Sequence, residues 1–177
     1  MKAGGLRRLL RNERASEIAE AALVMPLTFL MLLGIYWFGR AFNTYATINH
    51  AAREGARALI AQSCANCGNA SPTFANVNTV ITRAMQASSL DPSQARPIAP
   101  SIPGICGGGN FTSNCTSSNP GFNICSNAAL TYLADPYPQV CGVTISFQYP
   151  YQFWFPFTSL NNQKIWLTAE VHMVGEY

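Results

Sequence analysis

Eighteen consecutive residues, Ala21 to Phe38, carry no formal charge. As a helix rising about 1.5 Å per residue, such a run reaches roughly 27 Å, close to the roughly 30 Å hydrocarbon core of a bilayer. The core of a signal peptide is shorter, about 7 to 15 residues, and a small-residue cleavage site follows it. Here Gly39 and Arg40 lead into more helix-forming sequence. The pattern predicts a retained membrane anchor rather than a signal peptide or a buried core helix. Pro26 lies inside the run, where the loss of one backbone hydrogen bond predicts a kink. Glu20 stands at its N-terminal edge. A carboxylate costs about 2.5 to 3.5 kcal/mol at the centre of a membrane helix and less at its boundary, which makes Glu20 a candidate functional residue.

After Arg40 the apolar run becomes amphipathic. Tyr45, Ile48, Ala52, Ala56 and Leu59 fall on one helical face, and His50, Arg53, Glu54 and Arg57 on the other, which reads as solvated. The spacing predicts one long helix, membrane-embedded in its first half, whose Ile48 and Leu59 face is covered by the rest of the chain. Gly68, Asn69, Ser71 and Pro72 are breakers. A second helix is expected from Thr73 to about Ser88, capped by Ser71, with Pro72 in its first turn and Phe74, Val77, Ile81 and Ala84 on one stripe. Asp91 to Pro103 holds four prolines and is expected to be a surface connector. Gly104 to Asn127, rich in Gly, Ser, Asn and Thr with three cysteines, is expected to owe its order to disulfides rather than to a core.

Strict alternation returns near the end. Val143, Ile145, Phe147 and Tyr149 alternate with Thr144, Ser146 and Gln148, and Ile165 to Met173 repeats the pattern. Both predict half-buried strands, paired antiparallel with their apolar faces toward the long helix. Between them Tyr151, Phe153, Trp154, Phe155 and Phe157 crowd into a short segment, either a hydrophobic cover at the sheet edge or a contact surface for a membrane or a neighbouring subunit. The fold class is therefore α+β: a long N-terminal helix packed on a small antiparallel sheet. The expected divisions are a basic leader over residues 1–15, the long helix over 16–62 with its span at about 21–38, and an extracytoplasmic domain over 63–177.

Charge then orients the chain. Lys2, Arg7, Arg8, Arg11 and Arg14 precede the span and Arg40 follows it, while residues 41–177 balance five basic against five acidic side chains. That asymmetry predicts a cytoplasmic N-terminus and an exported C-terminal domain. It accounts for the basic cluster without nucleic acid as a partner. All six cysteines, Cys64, Cys67, Cys106, Cys115, Cys125 and Cys141, lie on the exported side. An even count in an oxidising compartment reads as up to three disulfides, with fifteen possible connectivities. Cys64 and Cys67 have the C-x-x-C spacing of zinc ligands or a redox pair, but no second close pair follows, and the motif lies at a helix end rather than at a helix start. Neither a metal nor a cofactor is expected.

Three stretches resemble the TadE-like minor pilins, or pseudopilins, of the tight-adherence pilus system. They are Arg14 to Pro26 (RASEIAEAALVMP), Gly34 to Arg40 (GIYWFGR) and Asn49 to Arg57 (NHAAREGAR), with a looser likeness from Leu167 to Glu176. The resemblance implies a structural role in assembling or priming a pilus, with the inner membrane, other pilin subunits and the assembly machinery as partners. It also implies a prepilin peptidase that cuts between Ala15 and Ser16, five residues before Glu20. The chain has Ala15 where the family usually has glycine and Ala21 where an aromatic commonly follows the glutamate. The alternatives are an unprocessed membrane-tethered adhesin and, third, a thiol oxidoreductase acting through Cys64 and Cys67.

Overall fold

The computed structural model describes residues 13–61, 72–106, 114–117, 121–131, 140–153 and 163–174. The chain divides into two compact units, Met1–Ala41 and Phe42–Tyr177. Helix α1, Glu13–Ile60, contributes to both. In the first unit every residue from Glu17 to Leu32 is exposed. The helix continues through Pro26, whose missing N–H leaves the Ala22 carbonyl without its usual donor.

In the second unit α1 buries Ile48, Ala51, Ala52, Ala56 and Leu59. Tyr45 is not among them. It stays 46% exposed with its ring edge toward Phe42, and the buried stripe passes through Thr44, one helical turn before Ile48. Helix α2, Phe74–Ala87, packs Val77, Ile81 and Met85 into the same core. Its N-cap is Thr73, which makes no side-chain capping bond, so Pro72 precedes the cap instead of occupying the first turn. Ser71 lies outside the described residues. The helix closes with Ser89 left-handed at φ 59°, the Leu90 N–H donating to the Met85 carbonyl and the Ser89 N–H to that of Gln86. This is a Schellman ending built on serine where glycine is usual.

Among the described residues the sheet has six antiparallel strands: β1 Arg96–Pro97, β2 Gly104–Ile105, β3 Cys115–Ser117, β4 Asn123–Ala129, β5 Cys141–Gln152 and β6 Lys164–Val174. The two strands read from alternation are β5 and β6, paired from Gly142↔Val174 to Gln152↔Lys164. On the other edge of β5, β4 opposes Cys141 to Ser146 and β1 opposes Phe147 and Gln148. β2 and β3 pair with the far side of β4. Val143, Ile145 and Phe147 meet the helices, and Phe122 packs edge-on to Phe147 at 4.9 Å.

Two expectations are corrected. Gly104 to Asn127 holds strands, and β4 buries Ile124, Cys125, Ala128 and Ala129. An extra residue between Cys125 and Ala128, with Asn127 at φ 53°, breaks the alternation that would have revealed it. The proline-rich connector, in turn, is more than a surface link. After a 3₁₀ turn at Pro92–Gln94 and strand β1, it is held across the polar face of the sheet. The Ile98 carbonyl accepts from Asn123 Nδ2 at 2.9 Å and from Ser146 Oγ at 2.8 Å, and Ser101 donates through its N–H and hydroxyl to the Glu170 carboxylate. Thr144 and Ser146 are consequently fully buried, so β5 is covered on both faces through this part.

Close approach of α1 to its neighbours depends on Gly55. A Cβ there would lie 2.5 Å from Ile81 Cγ1 and 2.9 Å from Ile145 Cδ1. Overpacking of this kind costs about 1–3 kcal/mol, against a gain of about 1 kcal/mol in helix propensity. Gly55→Ala is therefore expected to destabilise by about 1 kcal/mol net, measured by denaturant unfolding of the detergent-solubilised chain. Ser89→Gly should stabilise by about 1 kcal/mol in the same assay, because it relieves a left-handed serine. An unchanged midpoint in either variant would contradict these assignments.

Candidate functional site

The surface most open to partners is the first half of α1. Among the described residues, Glu17–Ile60 contains the one stretch long and apolar enough to cross a membrane, and that stretch is unburied. Leu23, Met25, Phe29, Leu30 and Met31 each expose more than 60% of their surface. Shielding each such side chain from water is worth about 1.5–3 kcal/mol, so the segment fits a membrane anchor. Glu20 is exposed at its edge, while the side chains of Ala15 and Ser16 lie outside the described residues. Gly34 and Gly39 have nothing within 4 Å of where a Cβ would stand, so neither serves packing inside the chain.

The polar face of the second half is solvated. Glu54 stands 3.5 Å from Arg57 and 3.9 Å from His50, in pairs exposed enough to contribute about 0–1 kcal/mol. A more enzyme-like grouping lies on the sheet, where Thr144 Oγ1 is 3.0 Å from His172 Nδ1 and His172 Nε2 is 3.5 Å from Glu170. The order hydroxyl, imidazole, carboxylate matches that of a nucleophilic triad. Yet Thr144 is fully buried and Glu170 is already bonded to Ser101, so the group fastens the connector to β6 and offers no reachable nucleophile.

Two other polar groups are tuned by the fold. The Asp91 carboxylate accepts from the Ser93 hydroxyl at 2.7 Å and the Ser93 N–H at 3.0 Å, which together hold its pKa below the ordinary carboxylate value. The Tyr149 hydroxyl accepts from the Asp91 N–H at 3.2 Å, and burial raises its pKa.

Four of the cysteines are joined, Cys106 to Cys141 and Cys115 to Cys125. The first ties the end of β2 to the start of β5, and the second crosses the β3–β4 pair in register. Cys64 and Cys67 lie outside the described residues. Among the described residues no group of three His, Cys, Asp or Glu could hold a metal ion. Of the aromatic segment, Tyr151 is buried and packs edge-on to Phe153 at 5.0 Å, while Trp154, Phe155 and Phe157 lie outside the described residues.

An unburied apolar helical segment beside an α+β unit fits a membrane anchor in a pilin-like protein. Residues 16–57 match the family model described as TadE-like protein, the family that the sequence resembles. The match falls within α1 and covers both its exposed apolar half and most of its amphipathic half. No curated protein and no solved structure matches the chain.

The disulfides close loops of different length, with sequence separations of 35 for Cys106–Cys141 and 10 for Cys115–Cys125. Loop-closure entropy then assigns roughly 4 and roughly 3 kcal/mol to them. Cys106→Ser with Cys141→Ser is expected to lower the unfolding midpoint more than Cys115→Ser with Cys125→Ser. The reverse order under matched oxidising conditions would contradict it.

Proposed function

We propose that the chain is a minor pilin or pseudopilin that takes part in assembling or priming a tight-adherence pilus, a structural role carried by contacts rather than catalysis. The observation that supports this reading best is the TadE-like match on a helix whose first half is apolar and unburied and whose second half is sealed into a domain. Helices of that kind have two stable environments: a bilayer, or the company of other such helices. The basic residues ahead of the span orient the N-terminus to the cytoplasm and the 63–177 domain to the outside of the inner membrane.

In this reading a prepilin peptidase cuts between Ala15 and Ser16, and Glu20 then sits one helical turn inside the new N-terminus. Its carboxylate neutralises the new terminal amine of a neighbouring subunit in a medium where neither charge is tolerated alone. That pairing fixes the axial register of packed helices.

The test is the intact mass and N-terminal sequence of the protein isolated from its own membranes. A chain beginning at Ser16, reverting to Met1 in a strain without the peptidase, is the expected result; Met1 throughout would sink the processing claim. Glu20→Gln keeps the shape and removes the charge. It should still be cleaved but fall about tenfold or more in sheared fibres, since loss of a single charge pair of about 1.4 kcal/mol is already a factor of ten.

A further inference from the structure

On the polar face of the sheet, a recess of about 520 Å³ has Gln94, Arg96, Pro150, Gln152, Lys164 and Trp166 among its walls. Small-molecule sites occupy roughly 300–1,000 Å³. Its construction follows from the strand register. Alternation along β5 puts Pro150 and Gln152 on the same face as Ser146, and their partners across the ladder are Trp166 and Lys164. Arg96 enters from β1 on the other edge of β5, opposite Gln148. Three strands of one sheet therefore carry the wall residues, and the 3₁₀ turn at Pro92–Gln94 supplies the remaining side.

Its electrostatics are one-sided. Residues 42–177 contain only five basic side chains, Arg53, Arg57, Arg83, Arg96 and Lys164, and two of them line this recess. Among the described residues no carboxylate lines it, and neither Arg96 nor Lys164 forms an ion pair. Asp91, at the start of the adjoining turn, is bonded to Ser93 and Gln94. The Arg96 guanidinium is held over the Trp166 ring, 4.5 Å from its centroid, which fixes the cation while its N–H edges stay available. Trp166 keeps 36% of its surface exposed, and the Gln94 side chain brings an amide group to the same walls.

We propose that this recess binds an acidic saccharide, a sugar unit bearing a carboxylate or sulfate. The anion is recognised by Arg96 and Lys164, the apolar face of the ring by the exposed part of Trp166, and the hydroxyls by Gln94. A small inorganic anion would satisfy the charge but use neither the indole nor the amide. The proposal gives the exported domain a surface-recognition role of its own, independent of cleavage at Ala15 or entry into a fibre.

The experiment is titration of the full chain in detergent micelles with four probes: an oligoguluronate hexamer, a heparin hexasaccharide, neutral cellohexaose and inorganic phosphate. Binding of either acidic hexamer, at least about tenfold tighter than cellohexaose and phosphate, is expected. Arg96→Gln and Lys164→Gln should each weaken it about tenfold, and Arg83→Gln, an exposed arginine outside the recess, should leave it unchanged. Thermal unfolding in parallel identifies a misfolded variant. Lys164→Gln, at an exposed position, keeps the test decisive if the Arg96 variant misfolds. Phosphate binding as tightly as the hexamers would reduce the site to a simple anion pocket and overturn the saccharide assignment. Undiminished affinity in folded Lys164→Gln, an equal loss in Arg83→Gln, or no binding of either acidic hexamer would overturn the proposal altogether.

Discussion

The second unit depends on how closely a helix can approach a sheet. Ala51, Ala52, Gly55 and Ala56 give α1 a nearly flat strip, and Ile81 from α2 and Ile145 from β5 both reach Gly55. Larger side chains on that strip would push the backbone away from two partners at once. The same small residues make this part of α1 weak in apolar contact area by itself. Its burial therefore relies on large partners contributed by the other elements: Met85, Phe147 and the isoleucines. In the first half of α1 the allocation is the opposite, with many bulky side chains, all of them exposed from Glu17 to Leu32.

Sequence periodicity revealed the parts of this fold that have one partner per face. The anchor, the amphipathic half of α1, α2 and the β5–β6 ladder all have faces of consistent polarity, and each was readable from spacing. What escaped was structure held by partners on several sides. β4 is bulged, short of large side chains and paired on both edges, so NICSNAA carries no period-2 signal. The prolines of the connector correctly excluded a helix but concealed that Ile98 and Ser101 dock onto β5 and β6. Of the candidate functional residues, Glu20 was conspicuous because charge in an apolar context has no cheap explanation. Arg96, Lys164 and Trp166 were not, since they stand far apart in sequence and only strand register brings them to one recess.

Sparse charge gives this chain an unusual economy of polar contacts. With charged residues at 11% of the sequence, hydroxyl and amide groups do much of the polar fastening. Asn123, Ser146, Thr144 and Ser101 secure the polar face, and Glu170 is the carboxylate among them. Neutral hydrogen bonds of this kind are less sensitive to salt than ion pairs, so the fastening of the polar face should change little with ionic strength.

The place of β5 in the sheet has a consequence for the order of events in folding. This strand lies between β6 on one edge and β4 and β1 on the other, yet it begins only at Cys141. A chain emerging N-terminus first has made α1, α2, β1 and β4 before the strand that unites them exists. Pairing of β1 with β5 closes some fifty residues, a non-local contact of the kind that slows folding. Until residues 141–152 are in place, the apolar stripe of α1 lacks its sheet, and the unfinished chain exposes a surface prone to aggregation. The domain's completion is thus timed by the arrival of its last third.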